Sequence, residues 1–114
     1  MVGIKGTGMS ALAFTLRTLG ITVTGSDAAD SFLLLDEASF KRAGIIIAPS
    51  FDAKNLPDLG QAGVPDAVIV STSHRTKNPE VNKAKKLKIP VLTYPQAVAL
   101  LTQEFKTIAV CGSH

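Results

Sequence analysis

The residues that could do chemistry begin at the front of the chain, where glycines are spaced as in a phosphate-binding loop. The stretch VGIKGTGMSALA places Gly6, Gly8 and Ala11 in a G-x-G-x-x-A pattern. Glycine lets the backbone turn sharply and approach a ligand closely, and the start of the following helix offers free N–H groups. The pattern predicts a phosphate site, with Ser10 adding a hydroxyl or capping the helix. A tight turn without a ligand is the alternative.

An acidic residue follows at the distance that dinucleotide-binding folds use. Asp27 lies 19 residues beyond Gly8, in TVTGSDAAD, at the tip of the predicted second strand. In such folds an acid at this position binds a ribose hydroxyl. We expect an exposed loop carboxylate whose removal weakens nucleotide binding and leaves the fold intact. A turn residue or a cap for the next helix is the alternative.

Hydroxyl side chains follow the predicted fourth strand, in the stretch VIVSTSHRTKNPEV. Ligands of open α/β sheets bind at the carboxyl ends of the strands, so Ser71, Thr72 and Ser73 could contact a sugar, a base or a phosphate. They could equally bond their own backbone. His74 and Arg75 fit either a solvated loop or a ligand contact, and no second His/Cys group supports a metal site there.

Short apolar runs alternate with helical patterns, and these elements must position the polar residues. Strands are predicted over residues 1–4, 21–24, 45–47, 67–70, 89–92 and 108–111, and helices over 9–19, 31–42, 79–87 and 95–105. Asn78 is expected to cap the third of these helices. Continuous apolar strands separated by helices predict a parallel sheet covered on both faces. The expected fold is α/β, a Rossmann-like, doubly wound, mainly parallel sheet of five to six strands, with the first loop at its carboxyl edge.

Composition argues against several function classes. Hydrophobic residues make up 46% and charged residues 18%, which predicts a folded core. A net charge of +3, no Trp and one Tyr give little support to a nucleic-acid partner. The single cysteine, Cys111, allows no disulfide within the chain and no multi-thiol metal cluster. With neither an apolar run of ~20 residues nor a signal-peptide pattern, we expect a cytoplasmic chain without a membrane partner.

Together these stretches resemble the N-terminal domain of the Mur ligases, in particular the branch that joins L-alanine to UDP-N-acetylmuramate. The matching segments, residues 3–10, 25–27, 71–81, 89–91 and 109–114, follow in order along almost the whole chain. The resemblance implies a UDP-substrate site. Its diphosphate would lie along Gly6, Thr7, Gly8, Met9 and Ser10, its uridine side along Ser26 and Asp27, and the crevice would be flanked by Ser71, Thr72 and Ser73.

The resemblance also implies how the chain divides. Residues 1–107 would form the UDP-binding domain, and residues 108–114 would begin a central ATPase domain with an incomplete phosphate loop, Gly112, Ser113 and His114. In the family, Gly-Lys-Thr comes next. We therefore expect these 114 residues alone to bind neither ATP nor Mg²⁺ and to catalyse nothing. The full-length enzyme is expected to use both in forming an amide through an acyl phosphate, for peptidoglycan synthesis.

Two pairs of residues depart from the family pattern, and two other functions stay open. Ser73-His74 stand where the family often has a more apolar pair. The family usually has Gly-His after the third strand, whereas this chain has Ser50-Phe51, so no histidine contact is expected there. The first loop and Asp27 would also suit a non-enzymatic NAD- or nucleotide-sensing module, or the cofactor domain of an NAD-dependent oxidoreductase. Neither explains the segment 71–81 or the terminal loop.

Overall fold

The computed structural model describes residues 1–29, 36–74 and 76–104. Two short 3-10 turns, Ala53–Asn55 and Thr72–His74, separate some of the regular elements. In chain order these elements are α1 (Thr7–Thr18), β1 (Thr24–Ser26), α2 (Glu37–Arg42), β2 (Ile46–Ala48), β3 (Val68–Val70), α3 (Pro79–Lys86), β4 (Val91–Thr93) and α4 (Tyr94–Glu104). The predicted strand over 108–111, the loop Gly112, Ser113 and His114, and residues 31–35 of the second predicted helix lie outside the described residues.

The strands pair in parallel and meet at the first residues of the chain. β1 pairs with β2, and β3 pairs with β4. Val2 forms a parallel bridge to Ser26 on one side and to Val70 on the other. The spatial order is therefore β2, β1, Val2, β3, β4, so the chain winds outward in both directions from Val2. In doubly wound sheets, ligands bind at this reversal of strand order, outside the carboxyl ends of the strands.

The predicted number of five to six strands is not confirmed, although every strand pairing in the described ranges is parallel. Those ranges contain four regular strands, and the predicted first strand is reduced to the Val2 bridge. Gly3 has a φ of +81°, which turns the chain away directly after Val2. β1 begins later than the strand predicted over residues 21–24. Ile21 takes part in the hydrogen bonds that close the end of α1, because its N–H donates to the Leu16 carbonyl oxygen at 3.0 Å.

Two separate hydrophobic clusters hold the helices to the sheet. One joins α3 to Val2 and β3, and its buried members are Val2, Leu56, Val68, Val70, Val81, Ala84 and Ile89. The other joins α1 and α2, with Ile4, Ala13, Val23, Phe40 and Ile45. The clusters share no residue, as expected when helices cover both faces of a sheet. No helix within the described ranges is long and apolar enough to cross a membrane.

The helix ends follow local rules. Asn78 caps α3 as predicted, because its Oδ1 accepts from the N–H groups of Glu80 at 2.9 Å and Val81 at 3.3 Å. α1, α2 and α3 each end in a left-handed residue, and these residues are Gly20 (φ 85°), Gly44 (φ 77°) and Lys88 (φ 62°). At each end the left-handed residue and the one after it donate to carbonyls of the last turn. Of these three residues, Lys88 is the one that is not glycine, and its side chain makes a left-handed φ unfavourable.

Candidate functional site

The first loop turns at Gly3, three residues before the glycine pattern. The Gly3 N–H donates to the Ser26 carbonyl oxygen at 2.9 Å, which holds the loop to the end of β1. A Cβ at position 3 would lie 2.5 Å from Ser71 Oγ, and its φ is also one that side chains avoid. Position 3 therefore requires glycine both for its backbone angle and for the close approach of the loop after β3.

Gly6 stands at the start of α1 and leaves that helix end open. It is the N-cap residue, with φ −61°, and no side chain caps the helix. A Cβ at position 6 would meet its nearest atom, the Gly3 carbonyl oxygen, at 3.6 Å. Neither backbone strain nor protein packing demands glycine here. The first-turn N–H groups, together with the positive end of the helix dipole, are suited to an anion.

The other four residues of the predicted phosphate loop point elsewhere. Met9 and Ser10 are buried, and Ser10 Oγ donates to the Ile4 carbonyl oxygen at 2.8 Å. Thr7 is exposed outside the cleft described below. A Cβ on Gly8 would lie 3.0 Å from the Tyr94 ring, so Gly8 allows α1 to pack against α4. Any contact that these four make with a phosphate would come from their backbone.

Asp27 is buried, so the prediction of an exposed loop carboxylate is wrong, and the argument from exposure that its removal would leave the fold intact no longer applies. The residue is 7% exposed, and its carboxylate joins two loops. Oδ2 accepts from the Lys5 N–H and Oδ1 from the Ala29 N–H, both at 2.9 Å. Each oxygen keeps a second lone pair, so the group can hold the loops and still accept from a ligand hydroxyl.

The loop after β3 supplies hydroxyls and an imidazole. Ser71 Oγ is buried, and within the described residues it has no hydrogen-bond partner. Thr72 is exposed, and the 3-10 turn closes when the His74 N–H donates to the Ser71 carbonyl oxygen at 3.0 Å. An unpaired buried hydroxyl is unfavourable, so Ser71 is the strongest ligand candidate of the three predicted hydroxyls.

These loops enclose a cleft of about 250 Å³ at the carboxyl edge of the sheet, beside the reversal of strand order. Its lining combines an open helix start, a cation, a carboxylate, hydroxyls and an imidazole. The lining residues are Gly3, Lys5, Gly6, Asp27, Ala29, Ser71, Ser73 and His74. Four residues predicted for the site thus come together here: Gly6, Asp27, Ser71 and Ser73.

Ser26, also predicted for the site, is absent from the cleft wall. It is fully buried at the end of β1, and its Oγ has no hydrogen-bond partner in the described part of the chain. The backbone of Ser26 instead receives the first loop, through the N–H groups of Gly3 and Ile4. Ser26 therefore supports the first loop from beneath and does not line the cleft.

The sequence does not predict three of the lining residues, Gly3, Lys5 and Ala29, and it leaves the role of His74 open. Gly3 falls inside the predicted strand over residues 1–4, and no role is predicted for the Lys5 side chain. Lys5 Nζ donates to the Ala29 carbonyl oxygen at 2.5 Å. His74 packs its ring against Phe51, with centroids 4.7 Å apart. A lysine one residue before a helix cap was the available signal for Lys5, whereas nothing local indicated the Phe51–His74 contact.

Three larger clefts lie elsewhere among the described residues and offer less chemistry. The smallest of these three, of about 350 Å³, has Thr24, Leu56 and Glu80 in its lining. One of about 650 Å³ sits at the amino ends of the strands, and its lining includes Leu16, Val23 and Ile69. Another of about 540 Å³ lies between α2 and β2, where Phe40 and Ile46 are part of the wall. Volume alone favours these three clefts, but specific binding needs convergent polar groups, which the cleft of about 250 Å³ provides.

Comparisons with known proteins agree with the architecture. The family model described as Mur ligase family, catalytic domain, matches residues 1–106. A UDP-N-acetylmuramate–L-alanine ligase of Saccharopolyspora erythraea is 40% identical over 114 residues, which cover 100% of this chain and 22% of that protein. The corresponding ligase of Treponema pallidum (strain Nichols) is 38% identical over 115 residues, again 100% and 22% of the two chains.

Two solved structures share the fold. The UDP-N-acetylmuramate-alanine ligase MurC of Thermotoga maritima superposes with a TM-score of 0.74 at 30% identity, over 91% of this chain and 22% of that one. A murein peptide ligase of Psychrobacter arcticus 273-4 gives 0.73 at 26% identity, over 90% and 20%. The chain therefore spans about a fifth of the length of the relatives it matches.

Proposed function

The chain belongs to the Mur ligase family, and from that membership we propose that it is the N-terminal part of a UDP-N-acetylmuramate–L-alanine ligase, where it binds the UDP group of the muramate substrate. The observation that supports this proposal is the cleft at the carboxyl edge. It brings the uncapped start of α1 together with Lys5, Asp27 and the unpaired Ser71 hydroxyl. A nucleoside diphosphate needs that combination, an anion site beside acceptors and donors for a sugar.

Each group has a separate task in this proposal. The N–H groups at the start of α1 and the Lys5 ammonium bind the diphosphate. Ser71 Oγ donates to a phosphate or sugar oxygen, and the remaining lone pairs of Asp27 accept from a ribose hydroxyl. The cleft volume of about 250 Å³ is below the roughly 300–1,000 Å³ of whole small-molecule sites. It suits the diphosphate and the adjoining ribose, with the rest of the substrate extending outward.

The proposal assigns the remaining chemistry to the complete protein, which would act in the cytoplasm during peptidoglycan synthesis. There, ATP and Mg²⁺ would activate the substrate carboxylate for attack by the amine of L-alanine. The residues expected to meet the ATP phosphates, Gly112, Ser113 and His114, lie outside the described residues. The described ranges hold no group of three or more His, Cys, Asp or Glu suited to a metal ion. The residues described here bind and orient the UDP end.

Calorimetric or NMR titration of the 114-residue chain tests the proposal. We expect UDP and UDP-N-acetylmuramate to bind more tightly than NAD, because the cleft is matched to one diphosphate and one ribose. Tighter binding of NAD would contradict the proposal and support the sensor or oxidoreductase alternative.

Gly6→Ala separates binding from folding. The added methyl would lie at the open helix start, without backbone strain and 3.6 Å from the nearest protein atom. We expect the melting temperature to change little and UDP affinity to fall about tenfold, as for one lost hydrogen bond to a charged group. Gly8→Ala is the matched comparison, since its methyl meets Tyr94 and should disturb α1–α4 packing. Unchanged UDP binding by Gly6→Ala would remove the helix start from the site.

A further inference from the structure

His74 is held in the cleft wall by contacts on two sides. Its ring lies at an angle of 49° to the Phe51 ring, with centroids 4.7 Å apart. A Cβ placed on Gly3 would come within 2.9 Å of His74 Cδ2, so the imidazole also lies close against the first loop. Its backbone N–H is bonded within the 3-10 turn. Packing therefore restricts the ring to one region of the cleft.

The Phe51 that packs on this ring is itself anchored. Phe51 is half-buried and packs against the cluster beneath α3. The adjoining turn is tied to the buried Glu80, whose Oε2 accepts from the Asn55 side chain at 3.2 Å and from the Asp52 N–H at 3.4 Å. The loop after β2 therefore contacts a residue of the cleft wall, His74, through Phe51, but Phe51 itself does not line the cleft.

Among the residues that the structure describes, none bonds to the ring nitrogens of His74. In residues 1–29, 36–74 and 76–104, His74 makes a backbone hydrogen bond and a ring contact, and neither ring nitrogen is hydrogen-bonded. An imidazole always carries at least one N–H donor. The same cleft holds Lys5 and the open start of α1, where oxygen atoms with negative charge are favoured.

Building on the proposed function, we propose that His74 is a specificity-determining residue of this cleft, which donates an imidazole hydrogen bond to an oxygen of the nucleoside diphosphate. Phe51 is a positioning residue, because its ring fixes the imidazole against the first loop. The Phe51–His74 contact joins loops after two strands, β2 and β3, that lie on opposite sides of Val2. Recognition of the ligand then depends on a loop that does not touch it.

UDP titration of three variants tests this inference. His74→Phe keeps a ring for Phe51 and removes the donors, so we expect about tenfold weaker UDP binding with an unchanged melting temperature. His74→Gln restores an N–H donor and should recover part of the affinity. Phe51→Ala should weaken UDP binding with the histidine intact, whereas Ser50→Ala, an exposed neighbour, should leave it unchanged.

The outcomes separate this inference from the proposed function. UDP binding by the unsubstituted chain, with equal binding by His74→Phe, would overturn the role of His74 and leave the proposed function standing. Absence of UDP binding by the unsubstituted chain would overturn both. A loss of affinity in His74→Phe that His74→Gln does not recover at all would point to packing and would also contradict the donor role.

Discussion

Asp27 holds two loops together with one side chain, because its carboxylate accepts from backbone N–H groups of the first loop and of its own turn. Asp27→Ala would leave the Lys5 and Ala29 N–H groups without this acceptor in part-buried surroundings. We expect the free energy of unfolding to fall by roughly 2–4 kcal/mol, which is less than two fully buried hydrogen bonds to a charged group would contribute, because water reaches both donors. Urea denaturation measures the change.

Two further variants serve as comparisons for Asp27→Ala. Asp27→Asn keeps one carbonyl oxygen as an acceptor and should lose less stability than Asp27→Ala. Asp66→Ala, which changes an exposed aspartate, should stay within about 0.5 kcal/mol of the unsubstituted chain. Equal urea midpoints for Asp27→Ala and Asp66→Ala would show that the carboxylate does not hold the loops.

At the scale of the elements, the end of α3 is the least favourable of three similar helix ends. Lys88 has a left-handed φ of 62° where α1 and α2 have glycine. Its N–H donates to the Lys85 carbonyl oxygen at 3.1 Å, and the Ile89 N–H donates to that of Ala84 at 2.9 Å. Lys88→Gly should keep both bonds and raise the free energy of unfolding by about 0.5–1 kcal/mol.

Gly20→Ala is the reverse experiment on α1. A Cβ at Gly20 would meet nothing within 4 Å, so the loss comes from the backbone angle alone. We expect this variant to lower the free energy of unfolding by about 1 kcal/mol, measured by thermal or urea denaturation. Changes of the same sign in Lys88→Gly and Gly20→Ala would contradict the argument from helix ends.

For the 114-residue chain as a whole, when it carries a free amino group on Met1, the position of that group predicts a pH-dependent stability. Burial lowers the pKa of this group from 8.0 to about 6, while the charge of Glu80 acts in the opposite direction. The group donates to the Thr24 carbonyl oxygen at 2.6 Å. Between these two pKa values the unfolded chain binds more protons than the folded chain. Stability should therefore rise from pH 6 to pH 8, by no more than about 2–3 kcal/mol.

Urea denaturation across this pH range measures the effect. A chain with an acetylated amino group is the matched control, because it has no amine to titrate there. Its stability should change less between pH 6 and pH 8. The same rise in both chains would assign the pH dependence to other groups.

The sequence by itself determined the features that depend on neighbouring residues. Asn78 before Pro79 predicts a capped helix because the cap and its N–H donors are two and three residues apart. Apolar runs between helices predict parallel strands, since such strands are buried on both faces. The alternation of strands and helices predicts that Gly6 and Asp27 meet at one edge of a sheet, and both line the cleft.

Only the tertiary structure decided which side chains face that cleft. Met9 and Ser10 lie only three and four residues after Gly6, yet both are buried, because the helix turns them toward the interior. Asp27 can be buried because the backbone N–H of Lys5, 22 residues earlier, donates to its carboxylate and offsets the loss of water. His74 meets Phe51 because β2 and β3 end at the same sheet edge. Contacts between residues so distant in the chain depend on how the strands are ordered, which no local pattern specifies.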